Sequence, residues 1–491
     1  MHTTIGYADY YPGQMLILWW FTHLQPHYFN EGLMYVGYYI FYICIVFEGI
    51  SEILDNTKIR YTFPRICFGV TCCMFLLFLP STVSVFEYKM LSVELLQSAT
   101  VGAMIYKMFR NAANTTVDWI DHIKWISLSI ILMSLKDSSV VFLFITFIWG
   151  IVLNIVSHKR YITFVDLCGG ILGSIIVAVT WKSFVNANGR ATIGERSSRF
   201  ISAINELLNN RDGDFANESF GYVTSFIKSI KEQPLHLSRG FGLDLSVKGV
   251  ITLSFILFIV IYIKGYYDLS KLELIASIIC ASTSIVFYLL VILSMHIFFF
   301  RETQYLDDHI MMMSISRYCE PLILGLLLFF VLPFLTHGSP GIQAAVLIGI
   351  LFFSEYSCMK NGLWGYRENV TQTLAHRQEI ESSYSGLMQG ATGARKKEQG
   401  RIIILFDNNN NNILSDQRNI SYMMAPKSVS FMAVSNDDIN GSVITINDYI
   451  NKESYEYYYV VPGCNINEKF NIQSNTLYSA SEIRPVVEEG D

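Results

Sequence analysis

Charge is scarce in this chain: Asp, Glu, Lys and Arg make up 15% of 491 residues, against 52% hydrophobic, and the formal net charge is -6. The basic residues are scattered, so nothing in the charge suggests a nucleic-acid partner. A disulfide framework is also lacking. Cys44, Cys67, Cys72, Cys73, Cys168, Cys280 and Cys319 lie in or at the edges of apolar blocks, with Cys358 and Cys464 elsewhere, and no pair has metal-ligand spacing with histidines nearby. Cys72 and Cys73 are adjacent and read as core packing. No cleavable signal peptide opens the chain, because Met1 is followed by polar and aromatic residues rather than a basic region and an apolar core. The chain is expected to start in a loop, its membrane address being the first true span or something upstream.

What is present instead is apolar sequence in long blocks, with a mean hydropathy of +0.36. That profile belongs to an α-helical polytopic membrane protein. The blocks predict about ten transmembrane helices, centred on 32–48, 64–80, 91–108, 124–135, 139–156, 163–180, 248–264, 272–299, 319–336 and 341–357. The fourth and fifth are short and joined by Leu135-Lys136-Asp137-Ser138, a helical hairpin with a polar tip. Ahead of the first block stands Tyr7 to Gly13, YADYYPG, whose Pro-Gly step forces a turn at the membrane surface. The run Gln14 to Leu24 that follows is about half the ~20 residues of a bilayer crossing, so it reads as a helix lying in the interface, with Trp19 and Trp20 at a suitable depth.

Basic residues mark alternate loops: Lys58, Arg60 and Arg65; Lys107, Arg110 and Lys124; Lys159 and Arg160; Lys264 and Lys271. The positive-inside rule makes that side cytoplasmic. The opposite, external side then carries YADYYPG, the loop around Phe86 to Lys89, the Lys136-Asp137 tip, the segment Lys182 to Ser246, the loop Arg301 to Arg317 and the tail. Within 182–246, Phe200, Ile201, Ile204, Leu207 and Leu208 make one amphipathic face, with Ser197 or Ser198 as N-cap, and Phe220, Val223, Phe226, Ile227 and Ile230 a second, stopped by Pro234. A lid over a lipid-linked substrate and simple interfacial packing both fit, packing being the default.

The expected domains are 1–31, an external loop remnant with the interfacial helix; 32–357, the transmembrane domain with its external insertion 182–246; 358–400, a juxtamembrane helix and linker; and 401–491, a small C-terminal α/β extracytoplasmic domain. In the last, Arg401 to Phe406, Ile420 to Met424, Val429 to Val434, Tyr455 to Val461 and Thr476 to Ala480 read as strands, Ile446 to Lys452 as a helix, and Gly390 to Gly400 as linker. It has no glycine-rich phosphate loop and no nucleophile constellation, so its default role is structural or a recognition surface. Asn-x-Ser/Thr triplets at Asn114, Asn217, Asn369, Asn419 and Asn440 carry little weight in so Asn-rich a chain.

Ionisable groups at membrane depth are functional candidates. On the external side they are Asp9, Tyr10, Glu87, Tyr88, Lys89, Glu94, Lys136, Asp137, Lys182, Asp307, Asp308, Arg317 and Tyr318. Carboxylates, cations and tyrosines together suit a phosphate-bearing amphiphile: Arg or Lys on the phosphate, an acid as base on an acceptor hydroxyl or as ligand to a divalent cation, tyrosines on sugar rings. Taken singly, each is a charge at a helix end in the headgroup zone, where charges are cheap.

YADYYPG, then a short aromatic-rich helix, then Asn30-Glu31-Gly32-Leu33-Met34-Tyr35, resembles a segment of the bacterial polytopic GT-C glycosyltransferases, in which Asp-Tyr-Pro-Pro-Gly is followed by Glu-Gly-x-x-Tyr. Phe86-Glu87-Tyr88 through Val93-Glu94, Leu135-Lys136-Asp137-Ser138, Trp181-Lys182 and Ser316-Arg317-Tyr318 are similar to later motifs of that family, in the same order. In the tail RIIILF, Tyr422 to Pro426, Tyr455 to Tyr459 and Leu477-Tyr478 match in outline. The resemblance implies transfer of a sugar from a polyprenyl-phosphate carrier to a cell-envelope acceptor, with inversion, on the external face of the bacterial cytoplasmic membrane. It implies that Arg317 and Lys136 contact the carrier phosphate, that Tyr10, Tyr88 and Tyr318 line the sugar site with Lys89, Asp307 and Asp308 beside them, and that Asp9 or Glu94 supplies the acid. The sequence departs from the pattern in having no span and no acidic loop ahead of YADYYPG, and in Tyr11 for Pro, Glu94 for Asp, and Asp137-Ser138-Ser139 for Pro-x-Gly. The rival readings are a transporter or flippase of envelope precursors, against which no internal repeat is visible, and a non-catalytic structural subunit.

Overall fold

The structure is a computed structural model, which describes residues 11–24, 31–56, 61–83, 91–113, 117–157, 159–187, 214–235, 245–298, 308–354, 366–394, 401–407, 411–424, 428–434, 456–462, 464 and 473–479. Two compact units meet at Met359/Lys360 in the chain. The first is helical: α1 (Gly13–Thr22), α2 (Glu31–Asn56), α3 (Thr62–Phe78), α4 (Val93–Ala113), α5 (Trp119–Leu135), α6 (Ser139–Val156), α7 (Phe164–Ala187), α8 (Asp214–Glu232), α9 (Val247–Lys264), α10 (Lys271–Phe298), α11 (Asp308–His337) and α12 (Pro340–Phe353).

All ten apolar blocks are helices. Seven of them, α2, α3, α6, α7, α9, α10 and α11, are long and apolar enough to cross a membrane. The other three fall short for different reasons: α4 carries Glu94, Lys107 and Arg110, α5 is 17 residues long, and α12 is 14. With backbone polar groups satisfied inside each helix, such segments tolerate lipid, and α3 and α7 turn Phe63, Ile66, Val70, Leu172, Ile176 and Val179 outward. The architecture is that of a helical multi-pass membrane protein.

The centre is the pair α4 and α11. The apolar window of α11 is buried throughout, despite Pro321 and Pro333 within the helix. Close approach needs glycine here: a Cβ on Gly102 would stand 2.7 Å from the Gly325 carbonyl oxygen, and one on Gly325 3.0 Å from that of Ser98. Around this pair Phe109, Trp149, Phe258, Tyr267, Phe329 and Phe330 stack into an aromatic core. The hairpin tip between α5 and α6 is Lys136 to Ser138, as expected. Of the two amphipathic patterns, the second is α8; the first lies outside the described residues. At the end of α9, Gly265 takes the left-handed conformation (φ 65°) that glycine adopts without a Cβ clash.

The short apolar run is α1, ten residues long; the Pro-Gly step expected as a turn ahead of it is instead the start of the helix, with Pro12 as N-cap and Gly13 as the first residue, because proline and its free carbonyl suit a helix N-terminus. Gln14 and Leu18 are buried, whereas Met15, Leu16, Trp19 and Trp20 are each more than half exposed. The helix is pinned at its start, where Gln14 Nε2 donates to the Leu91 carbonyl at 2.7 Å and Tyr11 meets Trp181 at 6.0 Å.

The second unit contains α13 (Tyr366–Ser383), α14 (Ser385–Ala394), β1 (Arg401–Asp407), α15 (Asn411–Met424), β2 (Ser428–Val434), β3 (Tyr457–Val460) and β4 (Thr476–Ser479). The sheet order is β2-β1-β3-β4, with β1 parallel to both neighbours and β4 antiparallel to β3. Ile402 to Phe406 are all buried, the continuous apolar pattern of a central parallel strand. Two expectations need correction. Ile420 to Met424 is helix, the end of α15, because Ile413, Ile420 and Met424 fall on one helical face and pack with Ile402, Ile404 and Phe406. The linker begins later than expected, since α14 runs through Gly390 to Ala394, held by Leu387 against the same core. The helix expected at Ile446 to Lys452 lies outside the described residues.

Candidate functional site

The first unit gathers polar groups at both ends of its bundle. One gathering lies where α4 begins, α5 ends and α11 enters the core. Ser92 precedes α4 and donates through Oγ to Glu94 Oε2 at 2.6 Å, while the Glu94 amide donates back to Ser92 Oγ at 3.3 Å. The other carboxylate oxygen of Glu94 takes Lys136 Nζ at 3.2 Å, from the hairpin tip, and Arg317 Nη2 at 3.3 Å, from α11. Glu94 is 1% exposed, whereas the Lys136 and Arg317 side chains are 12% and 30% exposed, so the cations and not the acid face outward. Lys136 Nζ also lies 5.9 Å from the centre of the Tyr318 ring, within cation–π range.

The walls hold these groups in place. Tyr38 of α2 hydrogen-bonds the Ser92 carbonyl, Gln14 of α1 the neighbouring Leu91 carbonyl, and Gln97 Nε2 donates to Ser139 Oγ at 2.7 Å across the start of α6. Tyr288 of α10 donates to the Tyr318 carbonyl at 2.7 Å. Near the end of α10 the His296 ring packs edge-on against Tyr318, with centroids 5.8 Å apart, and has Phe226 of α8 at 6.5 Å. His296 and Glu320 are both fully buried.

Of the expected site residues, Glu94, Lys136, Arg317 and Tyr318 come together. Asp9, Tyr10, Glu87, Tyr88, Lys89 and Asp307 lie outside the described residues, and of Asp308 only its place at the start of α11 is described. Asp137 is exposed and accepts from the Ser138 amide at 2.7 Å, and Lys182 is exposed on α7. Sequence reasoning passed over Ser92, His296 and Glu320. The signal for the last two was an ionisable residue inside an apolar run, Ser-Met-His-Ile-Phe and Tyr-Cys-Glu-Pro-Leu.

The gathering at the other end, 13 residues or about 20 Å along α4, has a different character. Lys107 is fully buried between Glu48 Oε1 at 3.3 Å and Asp121 Oδ1 at 2.7 Å. Arg110 pairs with Glu48 and Glu52, Lys124 reaches Glu48 at 3.5 Å, and Tyr106 donates to Glu52. Lys107 and Arg110, counted in the sequence among the charges of a cytoplasmic loop, are therefore members of α4 locked into an ion network with α2 and α5. Beside it His122 Nδ1 meets Asp166 Oδ1 at 2.7 Å, and Tyr161, between α6 and α7, donates to Glu273 at 2.9 Å. Burial first, and the Glu273 carboxylate second, push the Tyr161 hydroxyl well above the usual tyrosine range.

No group of three or more His, Cys, Asp or Glu side chains among the described residues is arranged to hold a metal ion. Glu94 does not suit a divalent cation, since both its oxygens are engaged by Ser92, Lys136 and Arg317. Compared with known proteins, the chain matches no family model, no curated protein and no solved structure.

Proposed function

We propose that the protein is a GT-C-like membrane glycosyltransferase, which moves a sugar from a polyprenyl-phosphate carrier to a cell-envelope acceptor at the end of the bundle where α4 begins. The observation that carries the reading is the convergence of Lys136 and Arg317, from segments far apart in the chain, on the buried Glu94, with the centre of the Tyr318 ring 5.9 Å from Lys136 Nζ. A phosphate with a lipid tail needs cations at the level of the headgroups and an apolar flank beside them, and a sugar needs an aromatic face. Lys136 and Arg317 hold the phosphate and stabilise the charge that builds on it as the glycosidic bond breaks. Tyr318 lies against the sugar. Glu94, turned inward, sets the spacing of the two cations. In this reading the site end faces outward from the bacterial cytoplasmic membrane, and the second unit is a recognition module for the acceptor. A transporter asks for a path through the bundle, and the contact of the Gly102 and Gly325 backbones, which closes the space between α4 and α11, weighs against one there.

The test is transfer and carrier binding by the purified protein in nanodiscs, with a panel of polyprenyl-phosphate hexoses and pentoses. Arg317→Ala is expected to weaken carrier binding by at least about tenfold, the loss of one charge-assisted contact. A protein that binds no member of the panel, or an Arg317→Ala variant with unchanged binding and transfer, refutes the reading.

A further inference from the structure

The helix α1 does not run along the bundle. Its first residue stands at the end of α5, where a Cβ on Gly13 would lie 2.6 Å from the Ser134 carbonyl oxygen, and its last turn stands near the start of α2, where Phe21 packs directly on Gly37. Both places are at one level. Ser134 is two residues before Lys136, which pairs with Glu94, and Gly37 precedes Tyr38, whose hydroxyl donates to the Ser92 carbonyl. The bond from Gln14 to the Leu91 carbonyl ties the start of the helix to the same level. From Gln14 to Phe21 an α-helix rises about 10 Å, so an upright α1 would carry one of these ends that far below the other. It lies instead across the end of the bundle, from α5 to α2.

The face it leaves free is apolar. Met15, Leu16, Trp19 and Trp20, at i, i+1, i+4 and i+5, are each more than half exposed, and the helix Gly13–Thr22 contains no charged residue. On α2, against which α1 rests, Val36, Ile40 and Phe47 are turned outward as well, and α2 is long and apolar enough to cross a membrane. The free face is therefore joined to a helix whose own outer side suits lipid. A helix that crosses the end of spanning segments with tryptophans on its open side has the form of an interfacial helix, sunk about 5–10 Å into the boundary between headgroups and acyl chains.

We propose that the free face of α1 is covered by the bilayer surface at that end of the bundle, and that the gathering of Ser92, Glu94, Lys136 and Arg317, at the level of α1, therefore lies at headgroup depth. The occupant of the face is the boundary region of the lipid, recognised by apolar side chains and by the tryptophan rings and not by charge. This placement stands whether or not the site transfers a sugar.

The experiment measures depth by quenching of tryptophan emission in phosphatidylcholine nanodiscs whose lipid carries either a nitroxide on the choline or bromines at mid-chain. Wild type is compared with Trp19→Phe/Trp20→Phe, and the difference isolates two of the seven tryptophans. The nitroxide lipid is expected to quench that emission at least about twofold more than the brominated lipid, as a position at the headgroup boundary requires. Asp137→Trp, added to the double variant at the exposed residue beside Lys136, places a reporter at the gathering, and the same order of quenching is expected there. Stronger quenching by the brominated lipid at Trp19 and Trp20 would mean an upright or deeply inserted α1, and the same result at position 137 would mean a gathering within the hydrocarbon. Either overturns the proposal. Emission from Trp19 and Trp20 that neither lipid quenches also overturns it, and gives the face to a second copy of the chain where the protein in the nanodiscs is dimeric.

Discussion

Glu94→Gln is the most informative substitution at the site, since glutamine keeps the shape and removes only the charge. Its amide oxygen can still accept from Lys136 and Arg317, and Ser92 can turn its hydroxyl to accept from the amide nitrogen. Hydrogen-bond count is thus nearly kept, and what is lost is the negative charge facing two cations, at 3.2 and 3.3 Å, together with the charge assistance of the Ser92 bond at 2.6 Å. Removing one partner of a fully buried ion pair costs about 3–5 kcal/mol. The low end of that range, about 3 kcal/mol, is the ceiling here, because neither cation is fully buried. The Arg317 side chain is 30% exposed, so water screens part of its share and the expected loss is nearer 2 kcal/mol. Unfolding in mixed detergent micelles measures it, and a cycle with Lys136→Met isolates the pair, with a coupling of about 1–2 kcal/mol expected. Coupling below about 0.3 kcal/mol, or a Glu94→Gln protein as stable as wild type, would mean that the carboxylate does not organise the two cations.

Four further substitutions concern the frame. Lys107→Met removes the ion-pair partner of Asp121 and one of three cations from Glu48, an expected loss of about 3 kcal/mol for breaking pairs whose lysine is fully buried; Lys124→Met, at a 44% exposed side chain, should change stability by less than about 1 kcal/mol in the same unfolding assay. Gly102→Ala places a Cβ 2.7 Å from a backbone oxygen and should destabilise by about 1–3 kcal/mol. Gly349→Ala, where a Cβ meets nothing within 4 Å inside α12, should stabilise by up to about 1 kcal/mol.

The helices were legible because lipid leaves few options: an apolar block of spanning length must satisfy its own backbone, and it does so as a helix wherever it lies in the bundle. The length of α1 and the burial of β1 were legible for equally local reasons. Ile420 to Met424 was not, since a short run of mostly apolar and aromatic residues suits a strand, and only the sheet it packs on shows that Ile413, Ile420 and Met424 form a helical face. The site was half legible. Glu94, Lys136 and Arg317 each read as a headgroup-zone charge, and no spacing rule joins residue 94 to residue 317. Lys107 and Lys136 make the point best. In the sequence each is a lysine at the margin of an apolar run, yet one is sealed between two carboxylates and the other shares a single carboxylate with Arg317 and lies over an aromatic ring, partly open to solvent. The first is sealed into the fold, and the second keeps 12% of its side chain open to solvent. Residue type alone would have ranked them equally, and it is the partner set, built by α2 and α5 around one and by α4 and α11 around the other, that separates them.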